Sequence, residues 1–364
     1  MPSDPPSPRL TPLPTDQIGE PFDTVHASAH EVLADLAPRA ILAVNDPPWS
    51  AILHQLSDRG VTPLAVVQAT SMEEADLIAA AADQSTAMEQ GAECVIGIGG
   101  GTAIDTAKYL AWSLGLPVTY IPTIASVDAT FTDAVGIRRD RKVTYIGQVR
   151  PQQVVIDLPL ITSAPARLNR AGIGDILSCH TGLFDWQLAV SSGLGVPWDE
   201  PLAALGRSLL AELAEAAPQV HGANAEGVDF LLGAYRRIGA ACAAAGHSRF
   251  EEGSEHFLGY ALEESTGMHF VHGELISMGV VAMSTIQGNE PERAASIVRT
   301  AGTSAHPTAV GLDRDTVITA LLRLGSYVQD EGLDPCIATL STITMDQAQQ
   351  AWDAICALPG EVHQ

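Results

Sequence analysis

A glycine cluster between a strand-like run and a helix-like run constrains the fold of this chain more than any other stretch. The apolar and small residues 95–98 lead into Gly99, Gly100 and Gly101, and residues 102–113 suit a helix. A buried strand, a tight turn and a helix N-terminus are therefore predicted. Glycines there let the backbone come close to a ligand, and the unpaired N–H groups of the first helical turn favour an anion such as a pyrophosphate.

The glycine cluster does not establish a ligand site by itself, since a structural turn needs glycines without any ligand. Its spacing matches neither G-x-G-x-x-G nor a phosphate loop that ends in Gly-Lys-Thr or Gly-Lys-Ser. Asp105 and Lys108 lie three residues apart, so they share one face of the helix that follows. A ligand loop and a structural turn both stay open on this evidence.

Short apolar runs alternate with helical runs over the first 160 residues or so. Strands are predicted at 40–44, 64–67, 94–98, 118–121 and 154–157, and helices at 23–36, 49–57, 71–90 and 102–113. The helix at 71–90 would begin with a capping box formed by Ser71 and Glu74. Strict alternation predicts a parallel sheet with right-handed crossovers, and ligands of such sheets bind beyond the carboxyl ends of the strands.

Two charged features accompany the predicted sheet. Asp46 follows the first strand, where an acid can accept hydrogen bonds from an adenosine ribose or simply belong to the turn Asn-Asp-Pro-Pro. Residues 135–137 and 143–146 predict a β-hairpin whose charged tip, 138–142, is basic. A solvated turn and a role in recognising an anionic substrate are both compatible with that tip.

The alternation ends near Leu158 and Pro159, and the rest of the chain is helical almost throughout. We therefore predict a mobile tail at 1–20, an α/β domain at 21–158 and an all-α domain at 159–364. Breaks between the helices of the all-α domain are predicted near 193–197, 221–227, 247–253, 267–272 and 303–307.

The acidic composition limits the classes of partner. The formal net charge of −24 at pH 7 would make nucleic acid and anionic membranes repel the chain, although a local pocket can still bind a small anion. No apolar run reaches the length of a membrane span, and the N-terminus lacks the pattern of a signal peptide. Five scattered cysteines predict reduced thiols rather than a disulfide framework. We expect a cytoplasmic protein, and homo-oligomer formation stays open.

Three stretches of the helical half are candidates for a metal site. Asp175 ends Ala-Gly-Ile-Gly-Asp, His256 ends Gly-Ser-Glu-His, and His272 begins His-Gly-Glu, each at a predicted helix start. One carboxylate and two neutral imidazoles suit zinc or iron acting as a Lewis acid. The two histidines match no known metal spacing, so ordinary capping or core roles remain the alternative. Three further histidines are predicted to be structural: His180, His247 and His269.

In their order along the chain, these motifs resemble the metal-dependent polyol dehydrogenases of the dehydroquinate synthase-like superfamily. The resemblance covers about residues 40 to 290 and rests on Gly99-Gly-Gly-x-x-x-Asp105-x-x-Lys108, Pro122-Thr-Ile-Ala-Ser-Val-Asp128, Ala171-Gly-Ile-Gly-Asp175, Asp185-Trp186, Gly253-Ser-Glu-His256 and His272-Gly-Glu274. The Gly-Asp, Asp-Trp and Ser-Glu-His stretches are most similar to the sn-glycerol-1-phosphate dehydrogenase family. The stretch Thr-Ile-Ala-Ser-x-Asp-Ala is similar to the glycerol dehydrogenase family.

This resemblance implies a Rossmann-like α/β domain that binds NAD or NADP, followed by an all-α domain that binds metal and substrate. It implies that Asp175, His256 and His272 ligate one divalent metal, zinc first and iron second, and that Asp128 contacts a small polyol or ketone. The cofactor site would be lined by Asp46, Gly99, Gly100, Gly101, Asp105, Lys108, Thr123, Ser126 and Thr132. Such a metal lowers the pKa of the substrate hydroxyl, so that hydride can leave to the nicotinamide without a protein nucleophile.

Three positions depart from the pattern of the glycerol-1-phosphate dehydrogenase family. Tyr260 replaces the second histidine of Ser-Glu-His-x-x-x-His, a substrate contact in that family; Ala129 replaces a glycine, and Thr132 replaces a serine. These changes belong to the substrate pocket rather than to the metal ligands. The resemblance therefore implies the same reaction class but puts recognition of a phosphate group in question.

Two alternative functions are compatible with parts of this pattern. Phosphate-eliminating cyclases of the dehydroquinate synthase type share the fold, but there the first metal ligand is typically glutamate and Lys108 is not expected. A non-catalytic nucleotide-binding relative is the third class, and retention of all three candidate ligands disfavours it.

Overall fold

A parallel sheet forms the first half of the computed structural model, which describes residues 22–360; the tail predicted at 1–20 lies outside the described residues. The strands are β1 (Thr24–His26), β2 (Ala40–Val44), β3 (Ala65–Gln68), β4 (Cys94–Gly99), β5 (Val118–Pro122), β6 (Ala134–Arg139), β7 (Lys142–Gln148) and β8 (Gln153–Ile156). Six of them form one sheet in the order β1-β8-β5-β4-β2-β3, with every neighbouring pair parallel. The predicted parallel sheet is confirmed.

Two local predictions for this sheet region were wrong. Helix α1 (Ala29–Leu36) begins later than predicted, because residues 24–26 form strand β1, which pairs with β8 at the sheet edge. The predicted capping box is absent: Ser71 Oγ accepts the N–H of Glu73, and helix α3 (Glu74–Ala82) starts after Glu73 without a side-chain cap. A second short helix, α4 (Ser85–Glu89), occupies the rest of the predicted run.

Helix α5 (Gly101–Leu114) packs closely against strand β4. A Cβ added to Gly97 would lie 2.8 Å from Ala107 Cβ, so only glycine permits this approach. The loop after β5 lies beside the end of β4, since the N–H of Thr123 donates to the carbonyl of Gly99 over 3.0 Å. The glycine turn and the loop after β5 therefore lie at the carboxyl edge of the sheet, as predicted.

The predicted hairpin is formed by β6 and β7, which pair antiparallel. Only Asp140 and Arg141 make its tip, and both have positive φ, 53° and 69°, as a two-residue hairpin turn requires. Arg139 makes a bidentate ion pair with Glu74 over 2.6 and 2.7 Å. That basic side chain is therefore engaged with helix α3 of the same half of the chain.

The rest of the described chain is helical, as predicted. Helix α2 (Pro48–Asp58) belongs to the sheet region. The helices that follow the sheet are α6 (Leu158–Thr162), α7 (Ala166–Ala171), α8 (Ile173–Leu177), α9 (Cys179–Ser191), α10 (Glu200–His221), α11 (Ala225–Ala245), α12 (Ser254–Thr266), α13 (His272–Gln287), α14 (Pro291–Ala301), α15 (Pro307–Val310), α16 (Arg314–Asp330), α17 (Ile337–Leu340) and α18 (Met345–Cys356). Within residues 22–360, no helix combines the length and apolar character needed to cross a membrane.

Internal contacts divide the described residues into two compact units. The first unit contains 22–124, Ala129–Ile161 and Arg236–His247; the second contains Ala125–Asp128, Thr162–Tyr235 and 248–360. In the first unit, buried side chains of the sheet pack against those of α1 and α2, including Leu33, Leu42, Trp49, Ile96 and Ile121.

Asp185 of helix α9 joins the N-termini of two other helices in the second unit. Its Oδ2 accepts the N–H of Ser254 at the start of α12 over 2.8 Å, and its Oδ1 accepts the N–H of Ile337 at the start of α17 over 2.7 Å. Burial raises the pKa of Asp185 to about 6; the hydrogen bonds from Ser254 and Ile337 limit this rise, and the charge of Glu255 adds to it. One buried carboxyl thus serves as a cap for both helices.

The pKa of Asp185 predicts a pH-dependent contribution to stability. Because the folded-state pKa lies above the ordinary value of 3.8, this group stabilises the fold fully below pH 4, and that contribution is lost as the pH rises through about 6. The unfolding free energy of the native protein, minus that of Asp185→Asn, should fall by roughly 2–3 kcal/mol between pH 4 and pH 7. Urea unfolding at each pH measures this difference, and titrating groups that do not interact with Asp185 cancel in it. A difference that does not change with pH would contradict the assignment.

Candidate metal centre and cofactor loop

Three helix starts of the second unit carry the candidate metal ligands. Asp175 lies in α8, His256 is the third residue of α12, and His272 is the first residue of α13. A Cβ on Gly174 would lie 2.6 Å from Gly273 Cα, so the backbones of α8 and α13 touch where these two residues lack side chains. The glycines next to Asp175 and His272 thus let the two helix starts meet.

The three candidate side chains converge. Asp175 Oδ1 lies 3.1 Å from His272 Nε2 and 3.8 Å from His256 Nε2, and one ligand atom from each residue lies within 4.8 Å of the others. Asp175 and His256 are buried, whereas the side chain of His272 keeps 31% of its surface exposed. The site is therefore closed on one side and accessible at His272.

The donor set fits a divalent metal. Asp175 Oδ2 accepts the N–H of Asp128 over 2.8 Å, but the buried Oδ1 has no donor aligned to hydrogen-bond with it. A buried acceptor without a donor is rare in folded proteins. Between two imidazole nitrogens, this oxygen completes an oxygen and nitrogen set that zinc and iron accept in proteins.

The carboxylates around His256 favour a positive charge at this place. Burial alone would lower the pKa of His256, but the hydrogen bond and charge of Glu255, together with the charges of Glu252 and Asp175, raise it to about 10. Burial opposes ionisation of Asp175, but the nearby imidazole of His272, then the charge of His256 and the N–H of Asp128, together lower its pKa. The negative charges of these carboxylates hold a proton on His256 in the metal-free protein. They also favour a divalent cation that would replace this proton.

The segment 125–128 is tied to the second unit by polar contacts. The N–H of Ala125 donates to Asn169 Oδ1 over 2.9 Å, and the hydroxyl of Tyr235 lies 2.5 Å from the carbonyl of Gly172 and 3.1 Å from that of Ala125. With its own N–H bound to Asp175, Asp128 is thereby held directly beside a candidate ligand. Asn169 and Tyr235 are single residues within helical runs, so no sequence signal indicated them.

Tyr260 lies one turn after His256 on α12. The two ring centroids are 6.2 Å apart, and the Tyr260 hydroxyl donates to Glu252 Oε1 over 2.7 Å. Burial and then the charge of Asp128 raise the pKa of the neighbouring Glu251 well above its usual value. Sequence reasoning missed Glu251 and Glu252, although two adjacent acids directly before Gly-Ser-Glu-His were a visible signal.

The glycine turn of the first unit is tightly packed. Gly99 has φ 152°, and a Cβ there would lie 2.5 Å from Asn45 Oδ1. A Cβ on Gly100 would lie 2.7 Å from Ile124 Cδ1. Helix α5 begins at Gly101 without a side-chain cap, so its first N–H groups are not satisfied by a capping side chain.

Lys108 forms a cluster with two other predicted cofactor residues, Asp105 and Thr132. Its side chain is only 1% exposed, and its Nζ donates to Asp105 Oδ1 over 3.0 Å and to Thr132 Oγ1 over 2.7 Å. Thr123 is buried beside Gly99 at the end of β5. The predicted residues of the glycine turn and of this cluster all belong to the first unit.

Two other predicted cofactor residues, Asp46 and Ser126, have surroundings different from those of the Lys108 cluster. Asp46 is exposed, and its Oδ1 accepts the N–H of Ser50 over 3.1 Å in the first turn of α2, which matches the turn alternative. Ser126 is buried and belongs to the segment 125–128 of the second unit. His180, predicted to be structural, pairs with the carbonyl of Asn289 over 2.7 Å.

Comparisons with known proteins agree with the motifs. The profile of the family described as iron-containing alcohol dehydrogenase matches residues 27–165. Glycerol-1-phosphate dehydrogenase (NAD(P)+) of Methanococcoides burtonii is 30% identical over 272 residues, which are 74% of either chain. The enzyme of the same name from Aeropyrum pernix is 29% identical over 287 residues, 77% of this chain and 80% of the relative.

Solved structures show the same fold. A probable glycerol dehydrogenase from Sinorhizobium meliloti superposes with a TM-score of 0.69 at 22% identity, over 92% of this chain and 96% of that one. Glycerol dehydrogenase from Schizosaccharomyces pombe gives 0.64 at 19% identity, over 92% and 88%. The similarity to the Methanococcoides burtonii enzyme confirms the resemblance seen in the motifs, and this chain belongs to the glycerol-1-phosphate dehydrogenase family of metal-dependent, NAD(P)-dependent polyol dehydrogenases.

Proposed function

We propose that this protein transfers hydride between NAD(P) and a small polyol, a polyol phosphate or the matching ketone at a metal held by Asp175, His256 and His272. Glycerol 1-phosphate and its ketone are the first substrates to test, since they are the pair that the names of the relatives imply. The observation that carries the proposal is the buried Asp175 Oδ1, which faces two imidazole nitrogens and has no aligned hydrogen-bond donor.

The side chains of the second unit have separate tasks in this proposal. Asp175, His256 and His272 would hold a zinc or iron ion, which would act as a Lewis acid on a substrate hydroxyl or ketone oxygen. Asp175 and His256 are buried and hold their ligand atoms in place, while the more exposed His272 leaves access for substrate. Asp128, held at Asp175 by its own N–H, is assigned to orient the substrate hydroxyls.

The residues of the first unit are assigned to the cofactor. The start of α5, whose N–H groups no side chain caps, and the compact turn Gly99 to Gly101 suit a pyrophosphate. The cluster of Lys108, Asp105 and Thr132 offers fixed polar groups for the remainder of the nicotinamide cofactor. Asp46, Thr123 and Ser126 are kept as further cofactor contacts.

The cellular setting is also part of the proposal. We assign the protein to the cytoplasm, acting on a small molecule either alone or as a homo-oligomer. A net charge of −24 supports the exclusion of nucleic acid and anionic membranes as partners.

Replacing His272 by alanine should abolish both metal retention and turnover. Metal content after dialysis is measured by mass spectrometry, and hydride transfer by absorbance of the reduced cofactor. His269→Ala, an exposed histidine of the preceding loop, is the matched control and should keep both. Binding of NAD(P)H should persist in both variants, since its assigned residues are elsewhere. One equivalent of metal retained by His272→Ala would refute the ligand assignment.

A side chain at position 100 should weaken cofactor binding for a reason separate from packing. Gly100→Ala alone would collide with Ile124, so the informative variant is Gly100→Ala combined with Ile124→Ala. We expect the double variant to melt close to Ile124→Ala but to bind NAD(P)H at least about tenfold more weakly, because the added methyl blocks approach to the turn. Equal affinity of the double variant and Ile124→Ala would show that Gly100 serves packing alone.

With Tyr260, this protein should prefer phosphorylated substrates less strongly than it would with a histidine at position 260. A neutral hydroxyl bound to Glu252 cannot offer the positive charge that a histidine can place beside a phosphate. Tyr260→His should therefore raise kcat/KM for dihydroxyacetone phosphate relative to dihydroxyacetone by roughly ten- to a hundredfold, the worth of one charge-assisted hydrogen bond. Tyr260→Phe is the control for loss of the hydroxyl. A native enzyme that already strongly selects the phosphate, with no gain in Tyr260→His, would show that another group binds the anion.

A further inference from the structure

Glu255 contacts the edge of the His256 ring that carries Nδ1, the nitrogen that does not face Asp175. His256 Nδ1 is 2.9 Å from Glu255 Oε1, while His256 Nε2 faces Asp175. The same Oε1 accepts the N–H of Gly253 over 2.7 Å, and the Glu255 side chain has no exposed surface. Nδ1 of the imidazole thus lies at hydrogen-bond distance from Glu255, whereas Nε2 lies near Asp175, which is a candidate metal ligand.

This contact between adjacent residues needs a special backbone arrangement. Neighbouring side chains of a helix do not normally face each other. Here both residues lie in the first turn of α12, where the Glu255 carboxylate turns back over the N–H of Gly253. A Cβ on Gly253 would lie 3.1 Å from Glu255 Oε2 and 2.9 Å from Asp185 Oδ2, so the glycine leaves room for two buried carboxyl groups.

Helix capping alone does not account for a carboxylate in this position. A buried carboxylate is costly unless hydrogen bonds or charges compensate it, and Asp185 already supplies an acceptor at this helix start. Oε1 of Glu255 is shared between a backbone N–H and an imidazole, whereas Oε2 is buried without a hydrogen-bond partner. The histidine is therefore the contact that distinguishes Glu255 from a simple cap.

We propose that Glu255 is a positioning residue, which accepts the Nδ1–H of His256 and so directs metal binding to Nε2. A neutral imidazole carries one proton on either nitrogen, and the hydrogen bond made by one nitrogen decides which atom can be a ligand. The inference rests on the proposed metal site, but it concerns a side chain that does not itself touch the metal.

The test compares zinc affinity among variants at position 255. Competition with a chelator gives the zinc dissociation constant of the full-length protein, and cobalt absorption spectra report the ligand geometry. Glu255→Met, which cannot accept a hydrogen bond from Nδ1 in this way, should bind zinc about 10- to 100-fold more weakly. Glu255→Gln keeps a neutral acceptor and should fall between Glu255→Met and the native protein.

Glu264→Gln on the same helix is the matched control for loss of one negative charge. It should stay within about twofold of the native zinc affinity, because its side chain lies two turns away from His256. A purely structural role of Glu255 would instead lower the melting temperature of the metal-free protein and leave the zinc affinity and cobalt spectrum of the folded protein unchanged. That result would overturn the inference.

Two outcomes separate this inference from the proposed function. If the native protein binds no zinc, or His272→Ala binds it as tightly, the metal site itself fails. If zinc binds through that site but both Glu255 variants bind it as the native protein does, only the role of Glu255 fails. Should Glu255→Met not fold, Glu255→Gln decides alone, and a loss of at least about threefold in affinity is expected.

Discussion

The candidate metal centre of the second unit is built around one buried carboxylate, Asp175. Burying a charge costs several kcal/mol unless hydrogen bonds or opposite charges compensate it. Oδ2 is compensated by the N–H of Asp128, and Oδ1 faces the imidazoles of His256 and His272. A segment that is distant in sequence and the starts of two helices are thus held around a single side chain. The requirement to compensate that side chain is what brings the candidate site together.

Several carboxylates surround Asp175, and their excess of negative charge has to be neutralised. Burial raises the pKa of Glu251 well above its usual value, so a proton on this group reduces part of the negative charge. His256, with its pKa raised to about 10 by Glu255 and other carboxylates, holds another proton in the metal-free protein. A divalent cation and these protons are alternative ways to balance the same field. Metal binding should therefore release protons, and the carboxylates around His256 favour the bound cation.

The sequence was most informative where structure is decided locally. The strand, glycine turn and helix around Gly100 and the starts of α12 and α13 were predicted, since glycines and apolar runs determine them within a few residues. Strand β1 was missed because its structure comes from pairing with β8, more than a hundred residues later. Tyr235 gave no signal for a similar reason, as its hydroxyl contacts backbone carbonyls that are distant in sequence.

The capping box at Ser71 shows the opposite failure, in which a local pattern was present and the chain did not use it. Ser71 Oγ binds the N–H of Glu73, while Glu74 pairs with Arg139 of the hairpin. A capping box satisfies two N–H groups of the chain and contributes about 1 kcal/mol. A bidentate contact with arginine is a charge-assisted alternative for the same carboxylate, and Arg139 becomes available only when β6 lies beside α3. Tertiary contacts thus decided between two arrangements that the local sequence could not rank.

Reaction class and substrate choice are encoded at different levels of this chain. The candidate ligands depend on backbone contacts, such as that between Gly174 and Gly273, which tolerate no larger residue. Tyr260 instead projects from an already formed helix, and its hydroxyl contact with Glu252 involves only side chains. Exchanging a neutral tyrosine for a protonated histidine changes the local charge by one, and one charge-assisted hydrogen bond to a phosphate is worth about 1.5–3 kcal/mol. Under the proposed function, a single side chain would therefore alter the preference for a phosphate while the metal ligands and the fold stay the same.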